Sequence, residues 1–99
     1  MNDGTFQWDD TKAARNYAKH GVTFEAARGV FEDVFAIEQI DDRQNYGEER
    51  STILGMAHGR LLFVVCTMRN NSIRIIPART AESYEEREYY EENARPDQA

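Results

Sequence analysis

The run from Leu61 to Cys66 constrains the fold most, because its six consecutive apolar residues leave no polar side for solvent. A strand that is apolar at both odd and even positions is typically buried on both faces of a sheet. His58-Gly59 precedes the run and Asn70-Asn71 follows it, and both pairs favour tight hairpin turns. The sequence therefore predicts a central strand with an antiparallel neighbour on each side.

The neighbouring segments predict the rest of the sheet. Arg50 to Met56 and Ser72 to Ile76 flank the central strand, and Pro77 prevents regular ladder pairing at its own position. Val34 to Ile40 predicts another strand, followed by a polar, turn-forming connection. Thr5 to Trp8 alternates and predicts a short edge strand.

Three helices are predicted around this sheet. Residues 10–19 contain good helix formers, follow a capping aspartate and end at Gly21. Thr23 begins a second helix, and Ala81 to Asn93 forms an acidic third one. The expected architecture is α+β, with an antiparallel sheet of three to five strands, two N-terminal helices, a C-terminal helix and all helices on one face. We expect one domain over residues 1–93 and a flexible tail over 94–99.

Positive charge is concentrated in the strand region. The stretch from Arg43 to Arg79 contains six arginines, no lysine and two acids, Glu48 and Glu49, in a chain of formal net charge -6. Residues 82–99 hold seven acidic and two basic residues, so most of the negative charge lies in the last helix and tail. The arginines are candidates for one surface that holds phosphate or a carboxylate-rich partner.

The cellular setting follows from weaker signals. Cys66 is the only cysteine, the N-terminal residues show no signal-peptide pattern, and the longest apolar run is six residues. We therefore expect a cytoplasmic protein without a disulfide or membrane contact, and a Cys66 thiol that packs as a small buried hydrophobe. His20, His58 and Cys66 lack metal-ligand spacing, and no glycine-rich phosphate loop is present, so neither metal nor cofactor is predicted.

A series of short blocks, in order and spacing over about residues 6–92, closely resembles the BrnT family of toxins from toxin–antitoxin systems. The blocks are Trp8, Lys12-Ala13, Asn16, Lys19-His20-Gly21-Val22, Phe24, Ala26-Ala27, Val30-Phe31, Asp33, Asp42-Arg43, Tyr46-Gly47-Glu48, Arg50, Gly55 and Ile73-Arg74-Ile75-Ile76-Pro77-Ala78-Arg79. Pro77 departs from the family pattern, in which a serine is expected, and it removes a hydroxyl and a backbone donor.

The resemblance implies a RelE-like fold and a ribonuclease activity that arrests translation. It also implies a cognate antitoxin of the BrnA kind, which binds operator DNA on behalf of the complex. Metal-free RNA cleavage needs a base, an acid and cations at the phosphate oxygens. A catalytically silent module that docks an antitoxin or repressor is the alternative function.

Candidate site residues follow from this chemistry. Arg74 and Arg79 are predicted to bind the reacting phosphate, because guanidinium groups stay charged and match phosphate bidentately. His20 is a candidate proton-transfer group with Lys19 as an adjacent cation. The candidate substrate-binding residues are Arg43, Tyr46, Arg50 and Arg60.

Several of these residues have a structural alternative. Lys19 and His20 before a glycine also describe an ordinary helix C-terminus, and this interpretation is favoured. Trp8 is more often a core residue than a base-stacking one, whereas Tyr46 fits both roles equally. Arg79 fits phosphate binding and pairing with the acidic C-terminal helix equally well.

Two geometric expectations can be tested directly. Arg74 and Arg79 lie five residues apart and would point to opposite faces of an unbroken strand, unless a bulge at Pro77 brings them together. The acidic helix either presents a solvated face, which is the favoured interpretation, or covers the arginines.

Overall fold

The computed structural model describes residues 1–94 and shows five strands and three α-helices. The strands are β1 (Phe6–Gln7), β2 (Ile37–Asp41), β3 (Arg50–Ala57), β4 (Arg60–Arg69) and β5 (Ser72–Thr80). The helices are α1 (Asp10–His20), α2 (Phe24–Ala27) and α3 (Ser83–Asn93), and a 3-10 helix, Arg28–Glu32, continues α2. The predicted α+β class is confirmed. The predicted tail lies outside the described residues, apart from Ala94.

One sheet contains all five strands in the order β1-β5-β4-β3-β2. The pairs β2–β3, β3–β4 and β4–β5 are antiparallel, but β1 runs parallel to β5, so the sheet is mixed. β4 is central, as its two-sided apolar run predicted. His58 and Gly59 form one two-residue turn and Asn70 and Asn71 the other, each with two positive φ angles, which favour a right-twisted hairpin.

The hydrophobic core lies between the sheet and the N-terminal helices. Trp8, Phe24, Val30, Leu62 and Val64 are all at most 3% exposed and belong to one cluster. Trp8 is therefore a core residue, as the favoured interpretation predicted, and its ring meets that of Phe24 edge to face at 5.7 Å between centroids.

The second helix begins after Thr23, as predicted, and is short because it tightens into the 3-10 turn. Gly29 lies in this turn against β3, and a Cβ at that position would come within 2.9 Å of the Ala57 Cβ. The absence of a side chain at Gly29 therefore lets the 3-10 turn pack closely against Ala57 of β3. None of the helices within residues 1–94 has the length and apolarity to cross a membrane.

The prediction that all helices share one face of the sheet is wrong. α1, α2 and the 3-10 helix cover one side, which we call the helix face. α3 lies on the opposite side, where Glu85 pairs with Arg79 and Tyr89 donates a hydrogen bond to Asp33 at 2.6 Å. Few apolar side chains of α3 are buried, and its sequence therefore has no clear apolar stripe that would predict which side of the sheet it packs on.

A buried amide joins α1 to the irregular part of β5. Asn16 Nδ2 donates to the carbonyls of Val22 and Ala78 at 3.0 and 2.8 Å, and the Ala78 N–H donates to Asn16 Oδ1 at 3.1 Å. β1 pairs only with Ile73 and Arg74, so the edge of β5 near Ala78 lacks a strand partner. The Asn16 side chain supplies the missing hydrogen bonds there.

Replacing Asn16 with alanine should destabilise the fold. The change leaves one N–H and two carbonyl groups without partners in a buried site, which should lower the free energy of unfolding by about 2–4 kcal/mol. Urea denaturation followed by circular dichroism measures the effect. Gln44→Ala, which removes an amide from the exposed loop after β2, is the matched control and should change stability little. Equal stability of the two variants would contradict the role assigned to Asn16.

Candidate functional site

A β-bulge in β5 brings Arg74 and Arg79 to one face of the sheet. Val64 pairs with Ala78 and Cys66 pairs with Ile75, so two β5 residues stand opposite the single residue Val65. Those two residues are Ile76 and Pro77. Proline is tolerated at a bulge because the extra residue is not paired with the neighbouring strand, so the missing N–H leaves no hydrogen bond unmade.

The register shows the result of the bulge. Arg74 lies opposite Thr67 and Arg79 opposite Phe63, and these two β4 residues are four positions apart and therefore point the same way. The expectation that a bulge at Pro77 unites the two arginines is confirmed. Their Cα atoms are separated by about 13 Å along the strand direction at the usual rise per residue.

The same parity places two further arginines on this side of the sheet. Arg50 of β3 and Arg69 of β4 share it, and we call this side the arginine face, defined by Arg50, Arg69, Arg74 and Arg79. Arg50 stands two strands from Arg74, which corresponds to about 10 Å between their backbones. Arg43 joins them from the loop after β2, so five of the six arginines of this segment reach one side of the molecule.

Arg74 is the member of the arginine face that forms no salt bridge within residues 1–94. Its charge acts only at longer range on Asp9, whose pKa is lowered mainly by a hydrogen bond from the Lys12 N–H and in smaller part by Arg74. The Arg74 Nη1 donates to Gln7 Oε1 at 2.9 Å, and Gln7 Nε2 donates in turn to the Arg69 carbonyl at 3.1 Å. Gln7 is buried and is fixed by the pairing of β1 with β5. A neutral amide therefore orients the guanidinium without neutralising its charge.

Glu48 holds two arginines of the face together. Arg69 donates to both carboxylate oxygens at 3.0 to 3.2 Å, and the Nε of Arg50 approaches the Oε2 atom at 3.4 Å. The two arginine contacts outweigh partial desolvation and lower the pKa of Glu48. The Arg50 guanidinium also lies 4.0 Å from the centroid of the Tyr46 ring, so this ring face is already occupied.

Arg43 forms a bidentate pair with Asp41. Its Nε and Nη2 donate to the two carboxylate oxygens at 2.7 and 2.9 Å, and the Tyr46 hydroxyl adds a bond at 3.3 Å. The Asp41 side chain is 1% exposed, whereas that of Arg43 is 64% exposed. Hydrogen bonding from Arg43 lowers the pKa of Asp41 to about 2.

Arg79 is tied to the C-terminal helix. Its Nη1 and Nη2 donate to the two carboxylate oxygens of Glu85 at 2.7 and 2.9 Å, and its guanidinium lies 4.3 Å from the centroid of the Phe63 ring. Burial of Glu85 raises its pKa, but the bonds from Arg79 and from the Glu82 N–H outweigh burial and lower it. Pairing with the acidic helix is therefore the state of Arg79 in this structure.

A groove of about 280 Å³ separates α3 from the open part of the sheet. Leu54 and Phe63 are part of its floor, Glu85 and Tyr84 line the α3 side, and Arg79 reaches into it. The groove thus combines an apolar floor with a guanidinium that is already bonded to a carboxylate. Both interpretations of the acidic helix hold in part, because Glu85 covers Arg79 while most other α3 residues are exposed.

Three polar side chains on one side of α3 attach it to the rest of the protein. Glu85 binds Arg79, Tyr89 donates to Asp33, and Asn93 Nδ2 donates to the Phe35 carbonyl at 3.1 Å. These residues recur every four positions and so share one side of the helix. Burial and the contact with Asp33 raise the pKa of Tyr89 to about 12.

Arg60, Lys19 and His20 lie apart from this face. Arg60 Nη1 approaches the Gly21 carbonyl at 3.4 Å, which places it near the end of α1. Lys19 and His20 occupy the last turn of α1, before the left-handed Gly21. Neither residue has a hydrogen bond or ion pair to Arg74 or Arg79 in the described chain, and their placement fits helix capping.

Other assignments from the sequence are confirmed. Cys66 is buried among core residues, and burial raises the pKa of its thiol to about 11, so the thiolate is disfavoured at neutral pH. His58 is exposed at the tip of a hairpin.

The sequence did not reveal four residues that position the site: Gln7, Asn16, Glu48 and Glu85. Each acts on a residue in another segment of the chain. Asn16 and Glu48 did appear among the blocks that resemble the BrnT family, and this was the only sign in the sequence that they matter. Gln7 and Glu85 resembled ordinary surface residues in the sequence.

The fold and the arginine face together define a small α+β domain with guanidinium groups gathered on one side of its sheet. The model of one family, described as "Ribonuclease toxin, BrnT, of type II toxin-antitoxin system", matches residues 8–85. The chain therefore belongs to the BrnT family of ribonuclease toxins from type II toxin–antitoxin systems. A search of curated proteins found no match. Membership of this family implies an antitoxin partner.

The Asp41–Arg43 pair should make stability depend on acid pH. Because the pKa of Asp41 is lower in the folded state than its ordinary value of 3.8, its stabilisation is present above pH 4 and disappears as pH falls towards 2. Asp41→Asn should therefore be less stable than the wild type by about 1–2 kcal/mol at pH 7, with allowance for the exposed Arg43, and the gap should close at low pH. Urea denaturation between pH 7 and pH 2.5 measures it.

Asp42→Asn is the control, because it changes the neighbouring exposed carboxylate, which has no ion pair with a described residue. A stability gap for Asp41→Asn that stays constant with pH would contradict the argument.

Removing the charge of Glu85 should release Arg79 for an anionic ligand. Glu85→Gln should lower the free energy of unfolding by about 1–3 kcal/mol, because the Arg79 guanidinium, whose side chain is 25% exposed, loses its bidentate carboxylate and keeps only the Glu82 carboxylate at 3.8 Å. The same variant should bind single-stranded RNA several-fold more tightly, as measured by fluorescence anisotropy where circular dichroism shows a folded protein. Glu86→Gln removes the same charge from an exposed position and controls for net charge. Equal RNA affinity of both variants would show that Glu85 does not mask Arg79.

Proposed function

We propose that this protein is an endoribonuclease toxin of the cytoplasm that cleaves RNA without a metal ion, inhibits translation and is neutralised by a BrnA-like antitoxin. In the proposed reaction the ribose 2′-hydroxyl attacks the adjacent phosphorus, and the bond to the 5′ oxygen of the next nucleotide breaks. Negative charge develops on the non-bridging oxygens during this step. Guanidinium groups fixed before the reaction stabilise that charge.

The position of Arg74 carries the proposal. Its guanidinium lies on the arginine face, is oriented by the neutral Gln7 amide and forms no salt bridge in the part of the chain that the structure describes. A phosphate can therefore bind it without displacing an internal anion. We assign Arg74 to the reacting phosphate, or to a phosphate next to it.

The other arginines of the face support a longer contact with RNA. Arg50 and Arg69 share Glu48, and Arg43 is bonded to Asp41 but keeps a mostly exposed side chain. RNA phosphates would exchange with these carboxylates, and Arg79 would join after release from Glu85. Because such contacts are ionic, RNA affinity should fall with salt.

Proton transfer is proposed separately from phosphate binding. His20 stays the predicted proton-transfer group, with Lys19 as an adjacent cation, although it lies at the end of α1 and is not bonded to Arg74. Loss of cleavage in His20→Ala together with a changed pH–rate profile would assign proton transfer to it. Unchanged cleavage would show that His20 only stabilises the C-terminal end of α1.

A catalytically silent docking module is the second candidate function. It is favoured by the carboxylate partners of Arg43, Arg50, Arg69 and Arg79, since an acidic partner protein could replace those internal carboxylates. In this case the arginines would recognise protein side chains and RNA would remain intact.

Arg74→Ala distinguishes the two functions. We expect RNA cleavage by the purified protein, in the presence of a chelator, to fall about 100-fold, which is typical of losing one fixed donor at a developing oxyanion. Arg74→Lys should restore part of the activity, because it keeps the charge but loses the bidentate fork. Arg87→Ala, which removes an exposed arginine from α3, is the matched control.

The readouts are fragment yield on gels and the chemistry of the new ends. The proposed reaction leaves a 2′,3′-cyclic phosphate and a 5′-hydroxyl. No cleavage by the wild-type protein, or equal cleavage by Arg74→Ala and Arg87→Ala, would overturn the proposed role. Antitoxin binding without any cleavage would support the docking module.

A further inference from the structure

The outer edge of β2 has no strand partner in the described chain. β2 closes the sheet on the side opposite β1 and pairs only with β3. No backbone hydrogen bond from another described segment covers the edge over Ile37–Asp41. A row of unpaired N–H and carbonyl groups is a ready template for a further strand.

Large apolar side chains are exposed next to this edge. Val34 is 88% exposed, Phe35 is 59% exposed and Ile40 is 65% exposed. A shallow groove of about 380 Å³ runs between this segment and α3, lined in part by Val34, Phe35 and Ile37. A strand added to β2 would cover Ile40 on one side of the sheet and enter the groove on the other, because side chains alternate along a strand.

The rim of this edge is acidic. Glu38 projects from the middle of β2, Asp42 follows it, and Glu88 of α3 lines the groove. None of the three carboxylates forms a salt bridge with another residue of the described chain. Glu38 stands opposite Ile53 and so lies on the helix face, whereas Glu88 lies on the α3 side. Both sides of the edge therefore carry a carboxylate that favours a partner with basic groups.

We propose that the β2 edge docks an extended segment of the antitoxin, which adds a sixth strand that carries both apolar and basic side chains. The backbone groups of β2 supply the ladder, the exposed apolar residues receive the apolar side chains, and the carboxylate rim selects basic ones. The identity of the partner rests on the proposed function, whereas the site rests on the geometry of β2.

This docking site is distinct from Arg74. Gln7 and Arg74 lie at the β1–β5 side of the sheet, and β2 lies at the opposite end of the strand order. A strand at β2 would border the groove that leads to Arg79 beneath α3. The antitoxin would thus be anchored at one end of the sheet. The rest of its chain would extend over the arginine face and prevent RNA from binding there.

The test is titration calorimetry of the purified full-length protein with its purified cognate antitoxin. Ile40→Lys should weaken binding at least tenfold, because it removes an apolar contact and repels a basic segment. Met68→Lys makes the same change at a residue that is 63% exposed on β4, two strands away from the β2 edge, and should bind like the wild type. Glu38→Lys should also weaken binding, with Glu86→Lys as its matched control.

Amide hydrogen exchange locates the binding site along the chain, which binding affinities alone cannot do. Antitoxin binding should slow exchange within Ile37–Asp41. Protection confined to other strands, or equal antitoxin affinity of Ile40→Lys and Met68→Lys, would overturn the proposal. Concentration-dependent dimerisation of the free protein that Ile40→Lys abolishes would assign the edge to a second copy of the chain instead.

RNA cleavage by each free variant keeps this proposal separate from the enzymatic one. Cleavage by Ile40→Lys at the wild-type rate, with antitoxin binding lost, supports docking at β2. Absence of cleavage in all proteins, with the predicted pattern of binding, would overturn the ribonuclease assignment and leave the docking site intact.

Discussion

The hydrogen bonds between Asn16 and the irregular part of β5 are the interaction on which the arrangement of the site depends. They satisfy Ala78 where β1 has ended and where Pro77 cannot take part in a ladder. With the extra residue held in place, Arg79 points to the same side of the sheet as Arg74. A regular strand at this point would turn one of the two guanidinium groups towards the core.

The attachment of α3 differs in kind from the rest of the fold. The N-terminal helices are held by a continuous apolar cluster, whereas α3 is held mainly by Glu85, Tyr89 and Asn93 through hydrogen bonds and one ion pair. Such contacts can be replaced by contacts with another binding partner, because the net free energy of one hydrogen bond or ion pair is small. None of these three residues belongs to the apolar cluster, so α3 can change its contacts while the cluster stays packed, and the helix is suited to cover the arginine face.

Local patterns in the sequence predicted much of the fold. The turn pairs, the two-sided apolar run of β4 and the capping residues each specify structure within a few positions, and all these elements were found. The parallel pairing of β1 was not predicted, and the side taken by α3 was predicted wrongly, because both depend on contacts between distant segments. For the site, the common arginine face was anticipated. The paired state of Arg43, Arg50 and Arg69 was not, because Asp41 and Glu48 reach them through turns and register that sequence spacing does not reveal.

The two contacts that complete the arginine face join opposite ends of the chain. Gln7 and Arg74 are 67 positions apart, and Asn16 and Ala78 are 62 apart. A chain that is still being synthesised can close the two hairpins as they emerge, because their strands are adjacent in sequence. It cannot orient Arg74 or fix the bulge until β5 is available to the N-terminal segment. The order of synthesis therefore delays assembly of the arginine face until almost the whole domain has left the ribosome.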